Sequence, residues 1–209
     1  MCGEGGLLSL LCFGIVTIVF IVAIVEIVTI GGGQDMTIGE AADAFEVFAN
    51  GFEDVVRSVM DSHKGEIVGI IQQQLYSGVR GDDTPLRPTY LDDPWFNTEE
   101  AGHWKGRAKA YMLWKKDITP PVPSASWLGY PARSVSTPNL FITGKFHESL
   151  RAQMFDDKMV FTTEGTPFGD DVVQKYGVDI LKVGQKGVSY IVQSWVKPRL
   201  ESYFKMCGL

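Results

Sequence analysis

Eight of the ten prolines in this chain fall between Gly78 and Asn139, at positions 85, 88, 94, 120, 121, 123, 131 and 138. Each proline removes a backbone donor and fixes φ, so this stretch can be neither regular sheet nor long helix. It reads as an extended, linker-like arm dividing a helical N-terminal part from a mixed C-terminal part. Within it, Glu99 to Lys116 regains helical character, with Trp104, Ala108 and Tyr111 on one face. Lys105, Arg107, Lys109, Lys115 and Lys116 make that segment locally basic. Basic residues interleaved with Trp and Tyr are what a single-stranded nucleic-acid binder uses. The same pattern also describes an amphipathic helix with a solvated basic face, and that is the reading we expect. The run from Pro120 to Asn139 is too long for a compact turn.

Before the arm, Ile38, Ala41, Phe45, Phe48, Phe52, Val55, Val59, His63, Ile67, Ile70 and Gln74 recur by threes and fours, which predicts an amphipathic helical region over residues 36–77. Thr37 and Glu40 form a capping-box pattern at its start. One helix of this length would reach about 60 Å, so a break is expected, best placed at Ser62-His63-Lys64-Gly65. His63 lies on the apolar stripe and reads as a core or interface histidine. Residues 1–35 form an apolar leader. Its run from Leu7 to Ile30 is long enough for a bilayer, which needs about 20 residues. No Lys or Arg lies in the first 35 residues, which argues against a secretory signal. Two readings stand: a single membrane anchor, or a misplaced start with Met36 as the first residue. The capping box directly after Met36 favours the second, as does Gly31–Asp35, which purine-rich DNA of the ribosome-binding type can encode.

After the arm, Leu140-Phe141-Ile142 is a short apolar run ending at Thr143-Gly144. One helical turn follows, with Phe146 and Leu150 on one face. Gly144 gives the chain a way into that turn without a Cβ clash. Arg151 to Phe155 and Lys158 to Thr163 predict two strands around Asp156-Asp157, with Met159, Phe161 and Thr163 alternating against Lys158, Val160 and Thr162. Gly169 to Tyr176 predicts a short helix whose Asp170 and Asp171 suit its N-terminal dipole. Gly187 to Phe204 predicts a final helix, bent or shortened by Pro198. The fold class is α+β: a long N-terminal helix, a Pro-rich arm, and a small antiparallel hairpin packed with a C-terminal helix. Residues 140–209 would share one domain with residues 36–77.

The chemistry the chain can support is limited. A formal charge of −6 gives no global basic field to attract nucleic acid. Cys2, Cys12 and Cys207 are too far apart in sequence to imply a disulfide framework or a metal site. His63, His103 and His147 sit in separate elements, and His147-Glu148-Ser149 places adjacent groups on diverging faces. Phe141–Lys145 resembles the end of a phosphate loop, but Asn139 stands where the first glycine is needed and Phe146 where Ser or Thr is needed. Arg80-Gly81-Asp82 and Gly81-Asp82-Asp83 lack the context of the adhesion and polymerase tripeptides they spell. No catalytic residue, cofactor or metal is expected.

Leu140, Thr143-Gly144, Phe146 and Ser149-Leu150 resemble the L-x-x-T-G-x-L-x-x-S-I segment of the phage virion morphogenesis (tail completion) proteins and their head–tail connector relatives. Phe and Leu stand here in place of the usual Leu and Ile. Gln74–Gly78 followed by Thr84–Tyr90 is similar to that family's G-x-P-W-x-P-L-x-x-x-T segment, without its Trp. Trp114–Pro120 is similar to its W-K-x-x-I-T-P. The resemblance covers Thr37 to Lys205. It implies a non-enzymatic virion protein of the head–tail junction or tail end, assembling as a homo-oligomeric ring with tail-tube, connector or portal-proximal partners. Nucleic acid would then be met only in the virion channel, and a membrane only through residues 7–30. Location would be the host cytoplasm during assembly and then the virion. Trp95, Trp104, Tyr111 and Trp127 are the expected contact residues. The alternatives are a membrane-anchored interaction domain and a nucleic-acid module using Trp104–Lys116.

Overall fold

The computed structural model describes residues 36–121, 126–155 and 158–209. The apolar leader and the Asp156-Asp157 hairpin tip lie outside the described residues. Contacts group the chain into two compact units. Among the described residues the first takes in 36–64, 153–155, 158–160 and 188–209; the second comprises 65–121, 126–152 and 161–187.

The first unit is built on α1 (Ile38–Ser62). Its capping box forms as the sequence predicts: Glu40 N–H donates to Thr37 Oγ1 (3.2 Å), and Thr37 N–H donates to Glu40 Oε2 (2.8 Å). Ala44, Phe48, Phe52, Val56, Val59 and Met60 are buried. Against them packs the C-terminal helix α7 (Lys197–Met206), whose Leu200 is buried. Phe48 stacks on Tyr203 (5.5 Å) and meets Phe204 edge-on (5.5 Å), while Tyr203 Oη donates to Val47 O (2.9 Å). Gly51 makes this crossing possible, because a Cβ there would stand 2.0 Å from Tyr203 Oη.

The predicted break in the N-terminal helical region falls at His63, and α2 (Lys64–Tyr76) follows. The second unit's core is Ile67, Ile70, Ile71 and Leu75 of α2 with Leu86, Ile180 and Phe146, all at most 4% exposed. The proline-rich segment departs from the expected extended arm. It folds back as irregular backbone into this core, with Leu86, Tyr90, Phe96, Leu128, Tyr130 and Arg133 buried. Prolines exclude regular hydrogen-bonded structure but do not prevent burial of the apolar side chains between them. The helix expected from Glu99 also starts late. A 3₁₀ turn (Glu99–Trp104) gives way at Gly102 (φ 53°) and Gly106 (φ 68°), and only then does α3 (Ala108–Ile118) begin. Those left-handed glycines end any continuous helix.

Beyond the arm come the one-turn helix α4 (Lys145–Glu148) and the antiparallel strands β1 (Leu150–Phe155) and β2 (Lys158–Thr163). On β2, Met159 and Phe161 are buried, as alternation predicts. α5 (Gly169–Tyr176) and α6 (Gln185–Ile191) follow. A π-helical turn, Val192–Val196, separates α6 from α7, and Lys197 N–H donates to Val192 O five residues back. Pro198, with no N–H to give, sits just beyond in the first turn of α7. The helical run continues past Pro198 to Met206, so the expected shortening is not seen; the change before the proline is from the α to the π hydrogen-bond pattern. The α+β class is the one observed. No helix among the described residues is long and apolar enough to cross a membrane.

Candidate functional site

The Leu140–Leu150 segment is set by its backbone. Leu140 (φ 55°) and Gly144 (φ 87°, ψ −15°) both lie in the left-handed region, and Gly144 caps α4. A Cβ at Gly144 would stand 3.1 Å from Phe141 Cε2. Phe146, Ser149 and Leu150 are buried while Thr143 is exposed. Ser149 Oγ donates to Phe146 O (2.7 Å), closing the turn.

Beneath the segment lies a framework of polar groups that periodicity could not announce. Asn139 is buried, and its Oδ1 accepts from Phe141 N–H (3.2 Å). Its carbonyl accepts from His147 Nε2 (2.9 Å), and Gln72 Nε2 donates to His147 O (2.8 Å). Tyr76 stacks on His147 (4.2 Å). Burial, with Lys115 nearby, pushes His147 down to about 4 against the help of its Asn139 bond, so it is a neutral packing group at pH 7. Glu148 is exposed and Ser149 is turned to Phe146, so the three adjacent polar residues converge on no common point. Next to this framework, Arg133 donates to Thr137 O (2.6 Å) and Thr119 O (2.8 Å), tying α3's end to the loop before Asn139. Elsewhere in the same unit Gln74, fully buried, donates to Lys182 O (3.0 Å) and accepts from Gly184 N–H (2.8 Å).

Lys115 corrects the sequence reading. It was expected on the solvated basic face, yet it is 2% exposed, whereas Lys105, Arg107, Lys109 and Lys116 are exposed. Its spacing of seven from Ala108 puts it on the face of Ala108 and Tyr111, a signal that was present. Its Nζ and the Nδ1 of His147 have no hydrogen-bond partner among the described residues. Burial, and then the neighbouring Arg133, push the Lys115 ammonium down to about 8.

Among the expected contact aromatics, Trp95, Trp104 and Tyr111 stack within their own unit. Tyr111 sits at the centre of a cluster with Tyr90 (5.3 Å), Phe96 (5.2 Å), Trp104 (5.2 Å) and Trp114 (5.3 Å). Trp95 packs on Phe96 (5.1 Å), with Lys175 over its ring. Trp127 is exposed. Burial pushes the Tyr111 hydroxyl up to about 12, with Asp93 adding to it. Arg80 and Asp82 of the adhesion-like tripeptide are spent on each other in an ion pair of 2.7 Å.

In the first unit, His63 stacks on Trp195 (4.4 Å), and its Nδ1 donates to Val59 O (2.9 Å). The pair lies in an open groove of about 510 Å³ that is also lined by Ser58, Ser194 and Arg199. Among the described residues no three His, Cys, Asp or Glu side chains are placed to hold a metal ion. No protein-family model matches the chain, and neither a curated protein nor a solved structure does.

Proposed function

We propose that this protein is a non-enzymatic virion structural protein of the phage head–tail junction or tail end, working by assembly into a ring. The observation that carries the reading is the Leu140–Leu150 segment. Its Thr-Gly step uses backbone that only glycine takes freely, and its Phe, Ser and Leu positions turn inward. That is the physical role a T-G-x-L-x-x-S-I pattern calls for: a rigid entry to a hairpin. The nucleic-acid reading draws less support, because Trp104, Tyr111 and Trp114 stack on one another. A base would have to displace those contacts to stack in their place.

Native mass spectrometry of the full-length chain, with and without tail-tube or connector protein, tests the reading, together with proteomics of purified virions. A cyclic homo-oligomer present in virions is the expected result. A monomer under both conditions, absent from virions, rejects it.

A further inference from the structure

α1 carries an apolar seam with alternating steps of four and three: Ile38, Ala42, Phe45, Ala49, Phe52, Val56, Val59. This is the spacing by which one helix offers a continuous edge to another. From Phe52 onward the seam is buried inside the first unit. Its leading half is not: Ile38 is 91% exposed and Phe45 48%, and Ala42 and Ala49 are exposed too. Glu46 and Glu53 border the seam on one edge, and α1 has no basic residue before Arg57. Neither glutamate forms an ion pair among the described residues.

α3 presents the opposite chemistry with the same spacing. Lys109, Leu113 and Lys116 step by four and three along one exposed face, with Leu113 48% exposed between the two lysines. Those lysines also form no ion pair among the described residues.

From this complementarity we infer that the leading half of α1 in one copy docks on the Lys109–Leu113–Lys116 face of α3 in a second copy, head to tail. The inference rests on the assembly reading above and names its contact. Two different surfaces of one chain make a heterologous interface, which closes into a ring when the rotation allows. Leu113 supplies apolar contact for Ile38 and Phe45, and the Glu–Lys edges set direction and partner. Edge charges of this kind act mainly on encounter rate and salt dependence. A helix-on-helix contact of this length is small, so single contacts are weak and ring closure supplies the avidity.

Two full-length variants test it: Glu46→Lys with Glu53→Lys, and Lys109→Glu with Lys116→Glu. Each alone opposes like charges at every contact, so sedimentation velocity should find both monomeric. Mixed together, they restore opposite charges at both kinds of contact, and association should return to the wild-type level. Raising ionic strength from about 0.05 M to about 0.5 M should weaken wild-type association roughly tenfold. Circular dichroism melts establish that each variant is folded. Three results would overturn the inference: folded variants that associate like the wild type, a mixture that stays monomeric, or a monomeric wild type. If all four substitutions in one chain restore a melting point that each pair lowers, with the protein monomeric, the two faces pair within one chain and the inference fails. Assembly through some other surface removes this contact but leaves the proposed function standing. A chain absent from virions and never oligomeric removes both.

Discussion

The two compact units reach order by different means. In the first, α1 and α7 meet through aromatic side chains, Phe45 and Phe48 against Tyr203 and Phe204, with Phe52 and Leu200 also buried. In the second, an irregular backbone is held by polar side chains that satisfy main-chain groups: the buried Gln74, Arg133, Asn139 and His147, and the half-buried Gln72. Burial of apolar area is non-directional and tolerates changes of shape, whereas each buried polar bond has one partner and one geometry. The second unit should therefore be the less forgiving to a conservative change.

The largest effect is expected at Gln74. Gln74→Met keeps the volume but strands the Gly184 N–H and the Lys182 carbonyl, at a cost of about 2–4 kcal/mol in urea unfolding. A loss below about 1 kcal/mol would mean that water replaces the amide, and the contrast between the units would weaken. Next is Gly144→Val. A β-branched side chain at φ 87°, with Phe141 3.1 Å from its Cβ, should cost about 1–3 kcal/mol. An unchanged melting midpoint would make the Thr-Gly step an ordinary bend.

Lys115→Met should go the other way. Removing a buried ammonium that has no partner should be neutral or stabilise by about 1–2 kcal/mol near pH 7. The sign follows from linkage: the folded protein gives up the Lys115 proton near pH 8, the unfolded chain near the ordinary 10.5. Between those values the unfolded state binds more protons, so wild-type stability rises with pH relative to Lys115→Met, and the two curves converge. The difference between the two proteins also cancels the opposing contribution of the buried tyrosines. A constant gap from pH 7 to pH 10 would assign the effect to packing and not to charge. The smallest effect is expected in the first unit. Leu200→Met, an apolar swap of similar volume, should cost less than about 1.5 kcal/mol in the same assay. A larger loss would mean that this unit too depends on one specific fit.

Elements governed by local rules were legible in the order of residues alone. The Thr37–Glu40 box, the break at His63, and the alternation of Met159 and Phe161 all follow from hydrogen-bond capacity or from periodicity within a few residues. Gly144's left-handed backbone was legible for the same reason, since glycine's freedom is a local property. Tertiary structure alone decided what the proline-rich segment does. Nothing within Gly78–Asn139 reveals that Arg133 will find the carbonyls of Thr119 and Thr137, or that Asn139 will hold His147, because irregular backbone has no period to read. Lys115 lies between the two cases. Its heptad distance from Ala108 gave its face, but a lysine's usual preference for water outweighed that signal. Burial at such a position is decided by what packs over the helix, and no local rule contains that information.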